Sequence, residues 1–171
     1  MRLRGRYLFQ RSAKSMETVK MSRTRVAVPP PLIIGIPLLA ALALQWFIPL
    51  CFPPRWLGLM LGLLCGLPAI VLLASAWLAF RRNRTSMLFL RRSRALVVDG
   101  PFKFTRNPLY IGFALFYAGI SLGVSAGWPL LFLPIIIMGL HYFAILPEER
   151  YLEYRHGAEY RAFKSRVHRW L

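Results

Sequence analysis

WLGLMLGLLCGLPAIVLLASAWLAF, residues 56–80, holds no charged side chain over its whole length. As a helix it is longer than the roughly 30 Å of a bilayer core. Pro68 falls near its middle, which a membrane bundle tolerates because neighbouring helices re-satisfy the freed carbonyl. Upstream, about Leu32 to Leu50 forms another such run, with Pro37 inside it and Trp46 near one end, where an interface favours Trp. The link Cys51-Phe52-Pro53-Pro54-Arg55 turns the chain between the two. Downstream, a third span is expected over about 108–124 and a fourth over about 128–146, joined by the tight turn Gly123-Val124-Ser125-Ala126-Gly127. The third is about 24 Å long, short for a crossing, and requires bilayer thinning or shelter under its neighbours. Gly119 and Gly123 give it a face for close helix approach. The reading is an all-α polytopic membrane bundle of four spans with a helical tail. Spans three and four are expected to form an antiparallel hairpin.

The formal net charge of +17 raises nucleic acid or an anionic membrane as partners. The apolar runs decide for the membrane: 57% of the chain is hydrophobic, too much for a soluble nucleic-acid binder with this pattern. Of the 23 Lys and Arg, eight lie in residues 1–31, eight in residues 81–107 and six after Leu146, leaving only Arg55 on the other side. The positive-inside rule therefore places both termini and the 81–107 connection in the cytoplasm, with the inner membrane of a bacterium as the expected location. Residues 1–31 read as a basic flexible arm in which Met16 and Met21 are alternative starts, and residues 32–171 as the membrane domain. Within the connection, Met87-Leu88-Phe89-Leu90 and Ala95-Leu96-Val97-Val98 are too short to span and are expected in the interface or folded under the bundle.

Cys51 and Cys65 stand about 21 Å apart on helical spacing, too far for a disulfide. No His/Cys cluster suggests a metal. No HExxH, P-loop or Rossmann glycine motif occurs, so the metalloprotease and soluble nucleotide-binding readings lack support.

Four features carry chemistry. The first is Gly100-Pro101-Phe102-Lys103-Phe104-Thr105-Arg106-Asn107-Pro108-Leu109-Tyr110-Ile111-Gly112, where a turn meets a helix start. Asp99-Gly100-Pro101 is a turn signal, Asn107 is suited to cap the helix, and Pro108 at its first position loses no bond. Capping leaves unexplained why Arg106 and Tyr110 flank that start. The second is Glu148-Glu149, two acids in a chain that has only six. Adjacent helical residues point about 100° apart, so one is expected to face a cationic ligand while the other pairs with an arginine. The third is His141 inside the fourth span, seven residues before Glu148 and on its face if the helix continues past Pro147. A neutral His bonded to a carbonyl is the plainer reading of it. The fourth is the tail, read as a helix from Glu148 to His156 closed by Gly157, then an amphipathic stretch from Ala158. Tyr160, Phe163 and Val167 share one face of that stretch, Trp170 ends it, and it is expected along the inner membrane surface. Its Arg161, Lys164, Arg166 and Arg169 suit anionic headgroups.

Gly100-Pro101-Phe102, then Arg106-Asn107-Pro108-Leu109-Tyr110-Ile111-Gly112, then Glu148-Glu149 with Leu152, Gly157, Tyr160, Lys164 and Val167, resembles the isoprenylcysteine carboxyl methyltransferase and phospholipid methyltransferase superfamily. The resemblance covers roughly residues 85–171. It implies an integral membrane enzyme using S-adenosylmethionine without the soluble methyltransferase fold. It further implies that Gly100, Pro101, Arg106, Asn107, Pro108, Tyr110, Glu148 and Glu149 enclose that methyl donor, with Arg106 and Glu149 as the catalytic pair. His141, Tyr160, Lys164, Arg166 and Arg169 are then expected on the side of a lipophilic or lipid-modified acceptor. One departure is informative: Asn107 stands where the family commonly has His. That favours O- or S-methylation over N-methylation, because a lipid ammonium must first lose a proton. Two other readings stay open, a non-enzymatic membrane adaptor or lipid binder that keeps the fold, and a small NADPH-dependent membrane reductase.

Overall fold

A computed structural model describes residues 29–83 and 96–170. Residues 1–28, which hold nearly all of the basic arm, and residues 84–95, which hold Met87–Leu90, lie outside it. The elements are α1 (Pro30–Phe47), α2 (Arg55–Arg82), a 3₁₀ turn (Gly100–Lys103), α3 (Pro108–Gly123), α4 (Gly127–Leu140), a π turn (His141–Ile145), α5 (Leu146–His156) and α6 (Ala158–Lys164). The protein is an all-α membrane bundle. Three helical stretches are long and apolar enough to cross a membrane, Pro30–Phe47, Arg55–Arg82 and Gly127–His156, and α3 is a shorter apolar helix. Large side chains such as Leu39, Trp46, Met60, Leu64, Val71 and Met138 are exposed on the outside. An apolar coat of this extent is stable in lipid rather than in water.

The bundle is built from two antiparallel pairs. Gly58 faces Leu122, Gly62 faces Gly119 and Gly123, and Gly112 faces Leu73, so α2 and α3 run in opposite directions. Ile33 packs at Gly139 while the amide of Trp128 donates to Gln45 at the other end, so α1 and α4 are likewise antiparallel. The third and fourth spans are adjacent, as expected of a hairpin, but the most extensive seam joins α2 to α3. Small residues make that seam. A Cβ on Gly62 would lie 2.8 Å from both the Gly119 carbonyl oxygen and the Gly123 nitrogen. Those are backbone atoms that cannot step aside. The Gly119 face meets Gly58-x-x-x-Gly62-x-x-x-Gly66 on α2, which repeats the same small-residue spacing. Gly62→Leu is expected to part the two helices and cost about 3 kcal/mol or more. Thermal unfolding in detergent reads this directly, and a wild-type melting temperature would contradict the seam.

Three expectations require correction. The tail does not begin a separate helix at Glu148. Leu146 donates its N–H to the His141 carbonyl five residues back, and helix continues from Gly127 through Pro147 to His156. The wider turn accommodates the proline, which lacks a donor and crowds the carbonyl one turn before it. That turn also breaks the 3.6-residue phase, so His141 and Glu148 meet different partners despite their spacing. The second correction concerns α6. Its apolar face does not lie free along the membrane: Tyr160 and Phe163 are buried with Ala76, Ala79, Val97, Phe102 and Leu109. Gly157 does close α5, at φ +51°. The third concerns Asn107, which occupies the N-cap position of α3 but makes no side-chain cap bond. Its side chain is engaged elsewhere. In the connection, Val97 is folded under the bundle in that same cluster, while Val98 is exposed.

Candidate functional site

The site forms where the start of α3, the start of α5 and the strap of residues 165–170 converge. Tyr110, one turn into α3, donates its hydroxyl to Glu148 Oε2 at 2.8 Å. Next in sequence but turned away from it, Glu149 is 6% exposed and holds two guanidinium groups. Arg169 Nε donates to its Oε1 at 3.0 Å and Arg169 Nη2 to its Oε2 at 2.9 Å, a two-point grip that fits the planar geometry of both groups. Arg106 Nη1 lies 3.1 Å from Glu149 Oε1. The acidic pair is thus divided as the 100° rule requires: one acid against a phenol, the other against cations.

Arg106 carries the most informative imbalance. Its side chain is only 9% exposed, and its Nε and Nη1 have no hydrogen-bond acceptor among the described residues. Nη1 is close to Glu149 but out of alignment with it. Charge is compensated there and the guanidinium also bonds to the Tyr160 hydroxyl, yet Nε and Nη1 lack an aligned acceptor among the described residues. Beneath it, the Tyr160 hydroxyl is pushed up to about 12, first by burial and then by the nearby Glu149 charge, with the Arg106 guanidinium opposing both. Free tyrosine titrates near 10. A group whose folded pKa is raised contributes stability that is complete below its unfolded pKa and is lost as pH climbs to the folded value. Stability is therefore expected to fall as pH climbs from about 10 to about 12. Tyr160→Phe should remove that step from a pH series of unfolding midpoints; an identical alkaline limb in the variant would refute it. Arg169, pinned by its bond to Glu149, is held above the ordinary arginine range.

The strap is stitched to the loop before α3. The Arg106 N–H donates to the His168 carbonyl at 3.0 Å. The Arg169 carbonyl accepts from Thr105 Oγ1 at 3.1 Å and from Asn107 Nδ2 at 3.0 Å, and the Asn107 N–H in turn donates to Thr105 Oγ1. Thr105 and Pro108 are almost wholly buried. Trp170 stacks on His141, ring centroids 6.1 Å apart at 24°, and packs on the cluster that contains Tyr110. Asn107 is thereby explained as an amide donor that holds the strap.

Of the residues singled out in the sequence, Arg106, Asn107, Pro108, Tyr110, Glu148, Glu149, Tyr160 and Arg169 come together here. Gly100, at φ +59°, and Pro101 stand against the end of α2 near Ala79, and their link to the acids runs through Phe102, which packs with Tyr160. Lys164 pairs at 3.4 Å with Glu153, and Arg166 bonds to the Ala162 carbonyl; both are exposed. Among the described residues, His141 meets the site through its stacking on Trp170. Thr105 and the carbonyls of His168 and Arg169 were not singled out in the sequence, where nothing but nearness to Arg106 and Trp170 could have marked them.

These features define a class, a polytopic helical membrane protein with a buried acid, arginine and tyrosine cluster at one end of its bundle. Comparison with known proteins makes the class specific. The phospholipid methyltransferase family model matches residues 57–159, and the chain belongs to that family. It is also similar to an uncharacterized protein of Haemophilus influenzae, 46% identical over 50 residues, which make up 29% of this chain and 76% of that protein. No solved structure matches.

Proposed function

We propose that this chain is an S-adenosylmethionine-dependent methyltransferase of the membrane, acting on a lipophilic acceptor by O- or S-methylation in preference to N-methylation. The observation that carries the reading is the buried Arg106 guanidinium, with Nε and Nη1 lacking acceptors among the described residues. Such atoms call for an anion. The donor molecule offers a carboxylate for Arg106, and an ammonium and a sulfonium for a carboxylate. When bound, it supplies a methyl group activated by positive sulfur.

Each residue then has a distinct task. Arg106 grips the carboxylate, helped by N–H groups at the start of α3. Glu148 faces the cationic part, because its partner among the described residues is a neutral phenol, the hydroxyl of Tyr110. Tyr110 orients that carboxylate and presents a ring face to a cation. Glu149 and Arg169 hold Arg106 in place, and Thr105 with Asn107 ties down the strap that shields the site from water. Orientation and dryness supply most of what a displacement reaction needs. Gly100 and Pro101 shape the turn that delivers Phe102 and the residues up to Arg106. His141, Lys164 and Arg166 remain on the acceptor and headgroup side.

An Asn107 amide that is donating to a backbone carbonyl cannot take up a proton. An acceptor that arrives as a carboxylate or thiolate needs none removed, which supports the O- or S-methylation preference. Counting α3 as a crossing gives four. The basic ends of the bundle then put both termini in the cytoplasm, with residues 1–31 as an arm and residues 32–171 as the membrane domain. The test is incubation of the purified protein with methyl-labelled donor and total lipid extract, alongside S-adenosylhomocysteine binding. Saturable binding and label in a methyl ester or thioether are expected. Label confined to base-stable N-methyl lipid would overturn the acceptor preference, and the absence of both binding and transfer would favour a non-catalytic lipid binder.

A further inference from the structure

α2 runs without a charge from Trp56 to Phe80 and then meets Arg81 and Arg82 in its last turn. That junction marks the level at which the helix leaves the apolar layer. An arginine there ordinarily reaches outward, keeping its head in water. Arg81 does the reverse. Its guanidinium carbon lies 4.8 Å from the ring centroid of Trp77, one turn back toward the apolar layer. Trp77 is 44% exposed, so the stacked pair stands on the outer surface of the bundle. Stacking occupies one face of the guanidinium and leaves its N–H edge for an acceptor.

Lys103 stands at the same end. It closes the 3₁₀ turn that packs on the end of α2, where Gly100 stands by Ala79 and Phe102 meets Phe80 edge-on at 5.4 Å. Lys103 is exposed, and so is Phe104 beside it, an apolar ring of the kind that beds in the headgroup boundary. Among the described residues Arg81, Arg82 and Lys103 have no ion-pair partner, and Asp99 accepts a hydrogen bond from the Asn83 amide. The tail differs: Lys164 is paired with Glu153, Arg169 with Glu149, and Arg166 with a carbonyl.

We propose that Arg81, held on Trp77, forms with Arg82 and Lys103 a binding site for the phosphate of an anionic phospholipid, with Phe104 bedded beside it. Charge complementarity selects this occupant. The cations lie at headgroup depth, on the end of the bundle assigned above to the cytoplasmic leaflet, where anionic lipids concentrate. A guanidinium edge bonds phosphate oxygens at two points, which favours phosphate over a diffuse negative surface. The site stands apart from the methyltransferase reading; only its leaflet depends on the topology proposed with it.

The test titrates the full chain in dodecyl maltoside with phosphatidylglycerol, phosphatidylcholine or inorganic phosphate, counting bound ligand by native mass spectrometry and recording melting temperatures in parallel. Saturable binding of phosphatidylglycerol is expected, with phosphatidylcholine at least about tenfold weaker. Arg81→Gln combined with Lys103→Gln should weaken phosphatidylglycerol about thirtyfold. Trp77→Leu, which keeps every charge, should weaken it about threefold. Arg161→Gln combined with Lys164→Gln should leave it unchanged. Without added lipid, the two glutamine pairs should melt with the wild type, because these side chains are exposed. Wild-type affinity in the Arg81 and Lys103 pair or in Trp77→Leu overturns the proposal, as does an equal loss in the tail pair. Equal binding of phosphatidylcholine, or inorganic phosphate binding as tightly as the lipid, overturns it as well.

Discussion

Glu149→Ala should be the most damaging single change in this protein, lowering stability by about 3–5 kcal/mol. The carboxylate is 6% exposed and sits against two guanidinium groups, one of them, on Arg106, itself buried. Removing it leaves like charges facing each other with no counter-ion, in a place where water reaches poorly. Breaking a buried pair from one side costs far more than the intact pair contributes, because the orphaned charge remains. The strap should loosen as well, since Arg169 is held through its side chain to Glu149 and through its carbonyl to Thr105 and Asn107. A fall in melting temperature of about 10 °C in detergent is the expected reading for a chain of this size. A shift of a degree or two would mean that the arginines find other partners and that Glu149 is not their anchor.

Glu148→Gln should do the opposite: leave the fold intact and remove function. The amide oxygen can still accept the Tyr110 hydroxyl, so packing and the local hydrogen bond survive. What is lost is the negative charge. Loss of one member of a desolvated charge pair costs about 2–5 kcal/mol in binding, so S-adenosylmethionine affinity and methyl transfer should each fall by at least about thirtyfold. The melting temperature should stay close to wild type. Binding and turnover within threefold of wild type would show that Glu148 does not face the cation. Together the two variants separate acids that are neighbours in sequence and cannot be distinguished by type.

The bundle was legible because lipid imposes a simple rule: a spanning helix must be long and free of charge. Residues 56–80 satisfy it without ambiguity, and α2 extends only slightly past them at each end. The basic clusters were equally plain, and so was the separation of Glu148 from Glu149, which follows from helical geometry alone. Three features resisted the same logic. Pro147 reads locally as a helix start, and only the π turn packed behind it lets α4 continue into α5. Asn107-Pro108 reads as a cap because a cap is the commonest local use for such a pair. The amide instead reaches a carbonyl 62 residues further along the chain, a partner that no local pattern can anticipate. The apolar face of α6 has the same periodicity whether it meets lipid or protein, and its burial against α2, Val97 and Phe102 depends on where the other helices stand.

The sequence by itself determined that this chain is a helical membrane protein, roughly where its apolar helices lie, and that one family's residues gather at the start of α3 and the start of α5. Those properties reside in hydropathy, charge and short-range spacing. Tertiary structure decided the division of labour within the gathered residues: Glu149 bound to Arg106 and Arg169, Glu148 bound to Tyr110, and the strap tied across the loop before α3. An ion pair of this kind is a relation between groups distant in the chain. Its existence depends on which helices pack together, and here that is settled by the glycine seam between α2 and α3 and by the course of the chain from α4 to Trp170.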